Sequence, residues 1–226
     1  MQIVILAAGR GTRMKDLTDN VPKPMLQINS RPILAYKLEA LPEKIDEVIF
    51  VIGYLGNQIQ QYFGDFYCGR KISYVVQQEL NGSGGALNLV KDLLRDDFLV
   101  MMGDDLYMRD DIINCMSRDL AVLGFEVNNP NKFGIISLDD SGNLAAIIEK
   151  PEMSGPALAN IALYKLNKKF FDYPMVSIGR GEYGLPQTIA LMANEYPVNV
   201  IRATDWFPIG NPDDLEKATL VIDKFI

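Results

Sequence analysis

Arg10, Arg13, Lys15 and Lys23 stand along one short loop that also holds Gly9 and Gly11, with only Asp16 and Asp19 to offset them. Glycines let a chain turn and bring its amides close to a ligand. Exposed amides, guanidinium forks and ammonium groups together neutralise several oxygens of a polyphosphate at once. A solvated surface loop has the same composition, so spacing has to decide. A dinucleotide-binding turn places a third glycine where Met14 stands, and a Walker loop reads Gly-Lys followed by Ser or Thr. Neither pattern is present.

Two more stretches carry groups of chemical interest. Residues 77–85, QQELNGSGG, hold Gln77, Gly82 and Ser83. A side-chain amide pairs with both a donor and an acceptor of a nucleobase edge, which suits uracil or thymine. Alone, the segment reads equally as a surface loop entering a helix capped by Ser83. Gly103-Asp104-Asp105 closes the apolar run 98–102. Carboxylates at such a place, in a phosphate site, hold magnesium. In isolation the same three residues make an ordinary turn, with Asp105 a helper or a turn residue before the next helix.

These stretches need a frame. The apolar run 3–8 is of a length suited to a buried strand, and 47–53, 72–77 and 97–103 read likewise. Residues 32–41, 57–63 and 84–94 have helical spacing between them. Apolar strands alternating with helices imply a parallel sheet covered on both faces, with ligands at the carboxyl ends of its strands. All three stretches begin at such ends. In the second half, 121–127, 133–138, 144–149, 157–164 and 198–202 are strand-like; 168–171 is a short helix, 185–194 a longer one, and 212–225 an amphipathic helix capped by Asn211. There are no repeats and no linker.

At 226 residues the chain can bury a substantial core as one domain, with room for two at most. No apolar run reaches membrane-spanning length, and the first residues enter a strand directly, without the pattern of a secretory signal. Cytoplasmic location is the expectation. Cys68 and Cys115 give neither metal spacing nor a disulfide framework. A net charge of -7 argues against nucleic acid as the main partner. The chain has no histidine, so chemistry that requires an imidazole is excluded.

Leu6 to Met14, LAAGRGTRM, followed by Pro22-Lys23-Pro24, resembles the signature of the sugar-1-phosphate nucleotidylyltransferases. The resemblance extends over nearly the whole chain. It implies an α/β, Rossmann-like three-layer sandwich with a mixed, mainly parallel sheet, in a single domain over 1–226. Residues 1–118 would form the nucleotide-binding half and 119–226 a lid-like sugar-binding half, with no room for the C-terminal β-helix of some family members. It also implies roles. Leu6, Ala7, Ala8, Gly9, Gly11 and Thr12 would surround the nucleotide, with Gln77, Gly82 and Ser83 at its base. Arg13 would hold the triphosphate tail, Lys23 the reacting phosphates, and Asp104 a magnesium ion. In PNKFGIISLDDSGNLAAIIEKP, residues 130–151, Gly134 would approach the sugar, Glu149 its hydroxyls and Lys150 its phosphate. Asn160 matches a sugar-contacting asparagine.

The implied reaction transfers a nucleotidyl group from a nucleoside triphosphate, UTP or dTTP favoured, to a sugar 1-phosphate. No membrane partner is expected, and a homo-oligomer is allowed. Transfer to a non-sugar phosphate such as phosphocholine, and a catalytically weak nucleotide-sugar sensor, are the alternatives. The sequence departs from the family at Ala162, at Gly184-Leu185-Pro186-Gln187, and at Pro208, which replaces a second metal-binding aspartate. Asp205 or Asn211, three residues to either side, are the expected substitutes.

Overall fold

The computed structural model describes residues 1–225. Its centre is the strand Gln2–Ala7, buried along its whole length between the parallel strands Glu47–Ile52 and Asp97–Met102. A strand with neighbours on both edges and helices on both faces has no solvent side, which is why QIVILA shows no polar alternation. Its side chains still alternate between two cores. Ile3, Ile5 and Ala7 join Leu34, Leu38, Ile59 and Ile112 on one face. Val4, Leu6 and Ala8 join Leu87, Leu185 and Ile189 on the other. Helices Ile33–Ala40, Gly56–Phe63 and Arg109–Met116 thus cover one face, and Gly82–Asn88 and Leu185–Ala193 the other, giving three layers.

The sheet is mixed. Arg70–Val76 adds a parallel strand beyond Glu47–Ile52. On the opposite side Ala157–Asn167 pairs antiparallel with Asp97–Met102, joining the second half of the chain to the first through one continuous sheet. That long strand also carries Ala121–Val127 and, through Ala159, Gly134–Leu138. Asn211 caps the helix Pro212–Val221 as expected, its Oδ1 accepting the Asp214 N–H at 3.1 Å.

Several boundaries differ from the sequence reading. The helix expected over 84–94 is Gly82–Asn88 followed by turns, so Ser83 lies inside it and is not its cap. The last helix gives way to a 3-10 turn, Ile222–Phe225. A two-stranded ribbon of Asp105–Tyr107 with Trp206–Pro208, and a hairpin of Ser177–Gly179 with Glu182–Tyr183, were not anticipated. Among the described residues no helix is long and apolar enough to cross a membrane. Cys68 and Cys115 are free, one exposed and one buried.

Candidate active site

Three strands run out together: Gln2–Ala7 into Ala8-Gly9, Arg70–Val76 into Gln77, and Asp97–Met102 into Gly103-Asp104. Their ladder continues past the ends. Gly103 N–H donates to the Leu6 carbonyl at 2.9 Å, and Gln77 N–H to that of Ile52 at 2.8 Å. Two adjoining cavities open at this edge. One, of about 280 Å³, is lined by Ala7, Gly9, Gly11, Thr12, Arg13, Lys23 and Asp104. The other, of about 210 Å³, is lined by Ala8, Gln77, Leu80, Gly82, Ser83 and Glu182. Leu6, Gly9 and Met102 border both.

In the first cavity, Gly11 has φ 67° and ψ 32°, a left-handed conformation that favours glycine. A Cβ there would also come within 2.8 Å of the Lys23 Cβ, so the glycine lets Lys23 cross the loop. Lys23 sits between Pro22 and Pro24 in a single 3-10 turn and is only 6% exposed. Its ammonium forms an ion pair with Asp104 Oδ2. Arg13 is exposed at the rim, its guanidinium beside Gly210. The result is a pocket with one buried cation, one exposed cation, free loop amides and a carboxylate, a set suited to a triphosphate with a divalent ion.

The second cavity has a fixed polarity. Gln77 is buried, and its Nε2 donates to Asn81 Oδ1 at 2.9 Å and to the Gly82 carbonyl at 3.2 Å. The Gly82 carbonyl is main chain and cannot change from acceptor to donor. The amide is therefore held with nitrogen inward, and Oε1 is left to the cavity as an acceptor. Gly82 itself has φ 88°, and the Tyr183 carbonyl stands where its Cβ would be. The Tyr183 N–H donates to the Asn81 carbonyl at 2.8 Å, which docks the 177–183 hairpin on this loop and brings Glu182 to the cavity wall.

Two charged residues behind Asp104 escaped the sequence reading or were left open by it. Lys37 is buried, donates to the Asp105 main-chain carbonyl, and lies 4.5 Å from the centre of the Tyr107 ring. Burial holds its ammonium below the usual lysine range, with Asp105 and Asp104 opposing the shift. Burial, and then the adjacent Asp104 carboxylate, push the half-buried Asp105 carboxyl well above its usual range against Lys37 and Lys23. A signal for Lys37 was present. Leu34, Lys37, Leu38 and Leu41 form an i, i+3, i+4, i+7 stripe, so a lysine occupies a core position.

The proposed sugar residues form a separate group that lines neither cavity. Gly134 and Glu149 are register partners on adjacent strands, and Lys150 follows with φ 45°. Asn160 is half-buried at a bulge, its Nδ2 donating to the Tyr164 hydroxyl at 2.8 Å and its Oδ1 accepting the Ala162 N–H at 3.1 Å.

The expected substitutes for Pro208 are engaged elsewhere. Asp205 accepts the Trp206 N–H at 2.8 Å and lies 3.6 Å from the Lys224 ammonium. Asn211 spends both ends of its amide on Asp214. Among the described residues there is no group of three or more His, Cys, Asp or Glu side chains that could enclose a metal. Asp104 offers a hard oxygen donor in the lining of the phosphate-sized cavity, which fits an ion that completes its shell with phosphate and water. Asp105 is next to it in the chain but in the lining of neither cavity.

The profile of the nucleotidyl transferase family matches residues 2–224. The bifunctional protein GlmU of Methanocaldococcus jannaschii is 36% identical over 228 residues, covering 99% of this chain and 55% of that protein. The chain therefore spans about half the length of such relatives. The UTP–glucose-1-phosphate uridylyltransferase AglF of Haloferax volcanii is 31% identical over 230 residues, covering 96% of this chain and 95% of that one. Among solved structures, the UDP-glucose pyrophosphorylase from Acinetobacter baumanii superposes with a TM-score of 0.85 over 97% of this chain and 92% of its own, at 21% identity.

Proposed function

Since the chain belongs to the nucleotidyl transferase family, we propose that it transfers the nucleotidyl group of UTP or dTTP to a sugar 1-phosphate, releasing pyrophosphate and leaving a nucleotide sugar. The observation that carries this reading is the adjacency of the two cavities, one cationic around Lys23 and Arg13, the other presenting the Gln77 acceptor. A nucleoside triphosphate needs both at once. The uridylyltransferase from Haloferax volcanii, matched over nearly its full length, supports the same substrate class.

The attacking phosphate oxygen is ionised at neutral pH, because the second pKa of a phosphate monoester is about 6. No general base is then required, which agrees with a chain that has no histidine. The residues have to align the nucleophile with the α-phosphorus and neutralise charge as pyrophosphate leaves. Lys23 would meet the reacting phosphates and Arg13, exposed at the rim, the tail. Loop amides from Gly9 to Thr12 serve the non-bridging oxygens. Asp104 would hold magnesium, which supplies Lewis-acid stabilisation of the phosphates when bound. Gly134, Glu149, Lys150 and Asn160 are proposed for the sugar phosphate, so the two halves of one domain would share the reaction.

Gln77 narrows the base. Its fixed Oε1 accepts an imino N–H, as uracil, thymine and guanine present, and repels the ring-nitrogen acceptors of cytosine and adenine. Free thiols at Cys68 and Cys115 support work in the reducing cytoplasm. The test is a pyrophosphate-release screen of five nucleoside triphosphates against sugar phosphates, phosphocholine and an inositol phosphate. Nucleotide-sugar formation with UTP or dTTP is expected. Binding without release for every pair would instead favour the sensor reading.

A further inference from the structure

We propose that Asp105 supplies the second carboxylate for the divalent ion beside Asp104, in place of any residue of the 205–211 segment. The inference rests on the proposed reaction for its biological meaning, but its geometry is independent of turnover.

The ribbon of Asp105–Tyr107 and Trp206–Pro208 is antiparallel, with Trp206 opposite Tyr107, Phe207 opposite Leu106 and Pro208 opposite Asp105. Directly opposed residues of an antiparallel pair project to one face, with Cβ atoms about 5 Å apart. A side chain at 208 and the Asp105 carboxylate therefore serve the same volume. Proline brings no ligand atom to it, and Asp105 brings two oxygens.

The charges nearby leave that carboxylate available. Lys23 pairs with Asp104 Oδ2, and Lys37 is directed to the main-chain carbonyl of Asp105. Among the described residues none makes an ion pair with the Asp105 carboxylate, while Asp205 and Asn211 are held by Lys224 and Asp214. On the same face, two residues from Pro208, the buried Trp206 indole N–H has no hydrogen-bond partner. It is a donor suited to a carboxylate oxygen that a metal does not use. Two carboxylates offset by two ammonium groups give a cluster without excess negative charge in the absence of a cation. A divalent ion entering here competes with the Lys23 ammonium for Asp104, and phosphate that draws Lys23 away would strengthen its binding further.

The probe is Mn²⁺ alone, titrated into nucleotide-free protein and followed by water-proton relaxation and the electron paramagnetic resonance of free Mn²⁺. Asp105→Asn is expected to weaken binding about tenfold, since affinity for hard cations follows the count of charged oxygen ligands. Pro208→Asp is expected to tighten binding in the otherwise unchanged protein and to restore it in the Asp105→Asn background. Asp205→Asn and Asn211→Ala should leave the midpoint within about twofold, because neither side chain reaches the ion. Far-UV circular dichroism and thermal midpoints establish that each variant is folded, and Pro208→Asp keeps the inference testable should Asp105→Asn fold poorly. It is overturned if folded Asp105→Asn leaves the Mn²⁺ midpoint unchanged, if Pro208→Asp leaves it unchanged where Asp105→Asn does not fold, or if Asp205→Asn weakens binding more than Asp105→Asn. A protein that binds Mn²⁺ as described but releases no pyrophosphate would defeat the proposed reaction and leave this assignment intact.

Discussion

Lys23 and Asp104, 81 residues apart in sequence, meet as an ion pair at the mouth of the cationic cavity. The pair joins the proline-flanked turn to the end of the Asp97–Met102 strand. In the proposed reaction each partner would exchange the other for phosphate or metal when substrate binds. Lys23→Ala should reduce turnover at least about a hundredfold, as expected for a positioned group stabilising phosphoryl charge. Removing one member of a largely buried pair also leaves the other unpaired, so this variant should unfold at lower urea concentration. The double variant Lys23→Met/Asp104→Asn should recover stability but not activity. Near-normal kinetics for folded Lys23→Ala would defeat the assignment.

The fixed Gln77 amide predicts base selectivity. UTP or dTTP should outcompete CTP and ATP by at least about tenfold in kcat/KM, equivalent to about 1.4 kcal/mol for one good discriminating hydrogen bond. Gln77→Glu would set a carboxylate against the Asn81 Oδ1 and the Gly82 carbonyl, so it should lose both affinity and discrimination. Competition assays with mixed triphosphates measure this directly. A tenfold preference for GTP would show that guanine, not a pyrimidine, supplies the imino N–H.

Gly82 is a second test of that wall. Its φ of 88° and the Tyr183 carbonyl at its Cβ position both resist a side chain. Gly82→Ala should cost about 1–3 kcal/mol by forcing strained backbone or undocking the hairpin. Chemical denaturation gives the cost, and hydrogen exchange at Tyr183 reports the hairpin. Since the Gly82 carbonyl also orients Gln77, discrimination between UTP and CTP should fall in the same variant. Unchanged stability would mean that the hairpin docks more loosely than its Tyr183 to Asn81 hydrogen bond implies.

The sequence carried the sheet, the glycine loop and Asp104 because each is a local pattern: apolar runs, turn glycines and a short acidic end to a strand. It did not carry relations between distant segments. Nothing near Lys23 announces Asp104 as its partner, and the orientation of Gln77 is set by a main-chain carbonyl that no residue type encodes. The Asp105–Tyr107 and Trp206–Pro208 strands are three residues each, too short for periodicity, and proline argues against a strand except at an edge. Gly82 and Ser83 read as loop, yet the helix begins at Gly82, where the main chain of Tyr183 in the distant hairpin stands too close for a side chain.

Lys37 gives a prediction in pH. Its folded-state pKa lies at about 8, mainly through burial, against about 10.4 for an unperturbed lysine. Between these values the unfolded chain binds more protons at this site than the native one, so the contribution of Lys37 to stability rises with pH. It is fully present above the unfolded pKa and lost as pH falls through about 8. Lys37→Met removes the titration and also the hydrogen bond to the Asp105 carbonyl. The lost bond shifts the difference between wild type and variant by an amount that does not depend on pH, so the informative quantity is the slope. Lys37 lowers the pKa of the Asp105 carboxyl, so in the variant that pKa rises further and the variant loses stability as pH climbs, which steepens the difference in the same direction. Buried tyrosines such as Tyr107 and Tyr164 titrate in both proteins and largely cancel. Stability of wild type minus that of Lys37→Met, from urea unfolding across this range, should climb with pH and level off at either end. A difference that stays flat would place the Lys37 ammonium in a better-solvated site than its burial and its position over Tyr107 indicate.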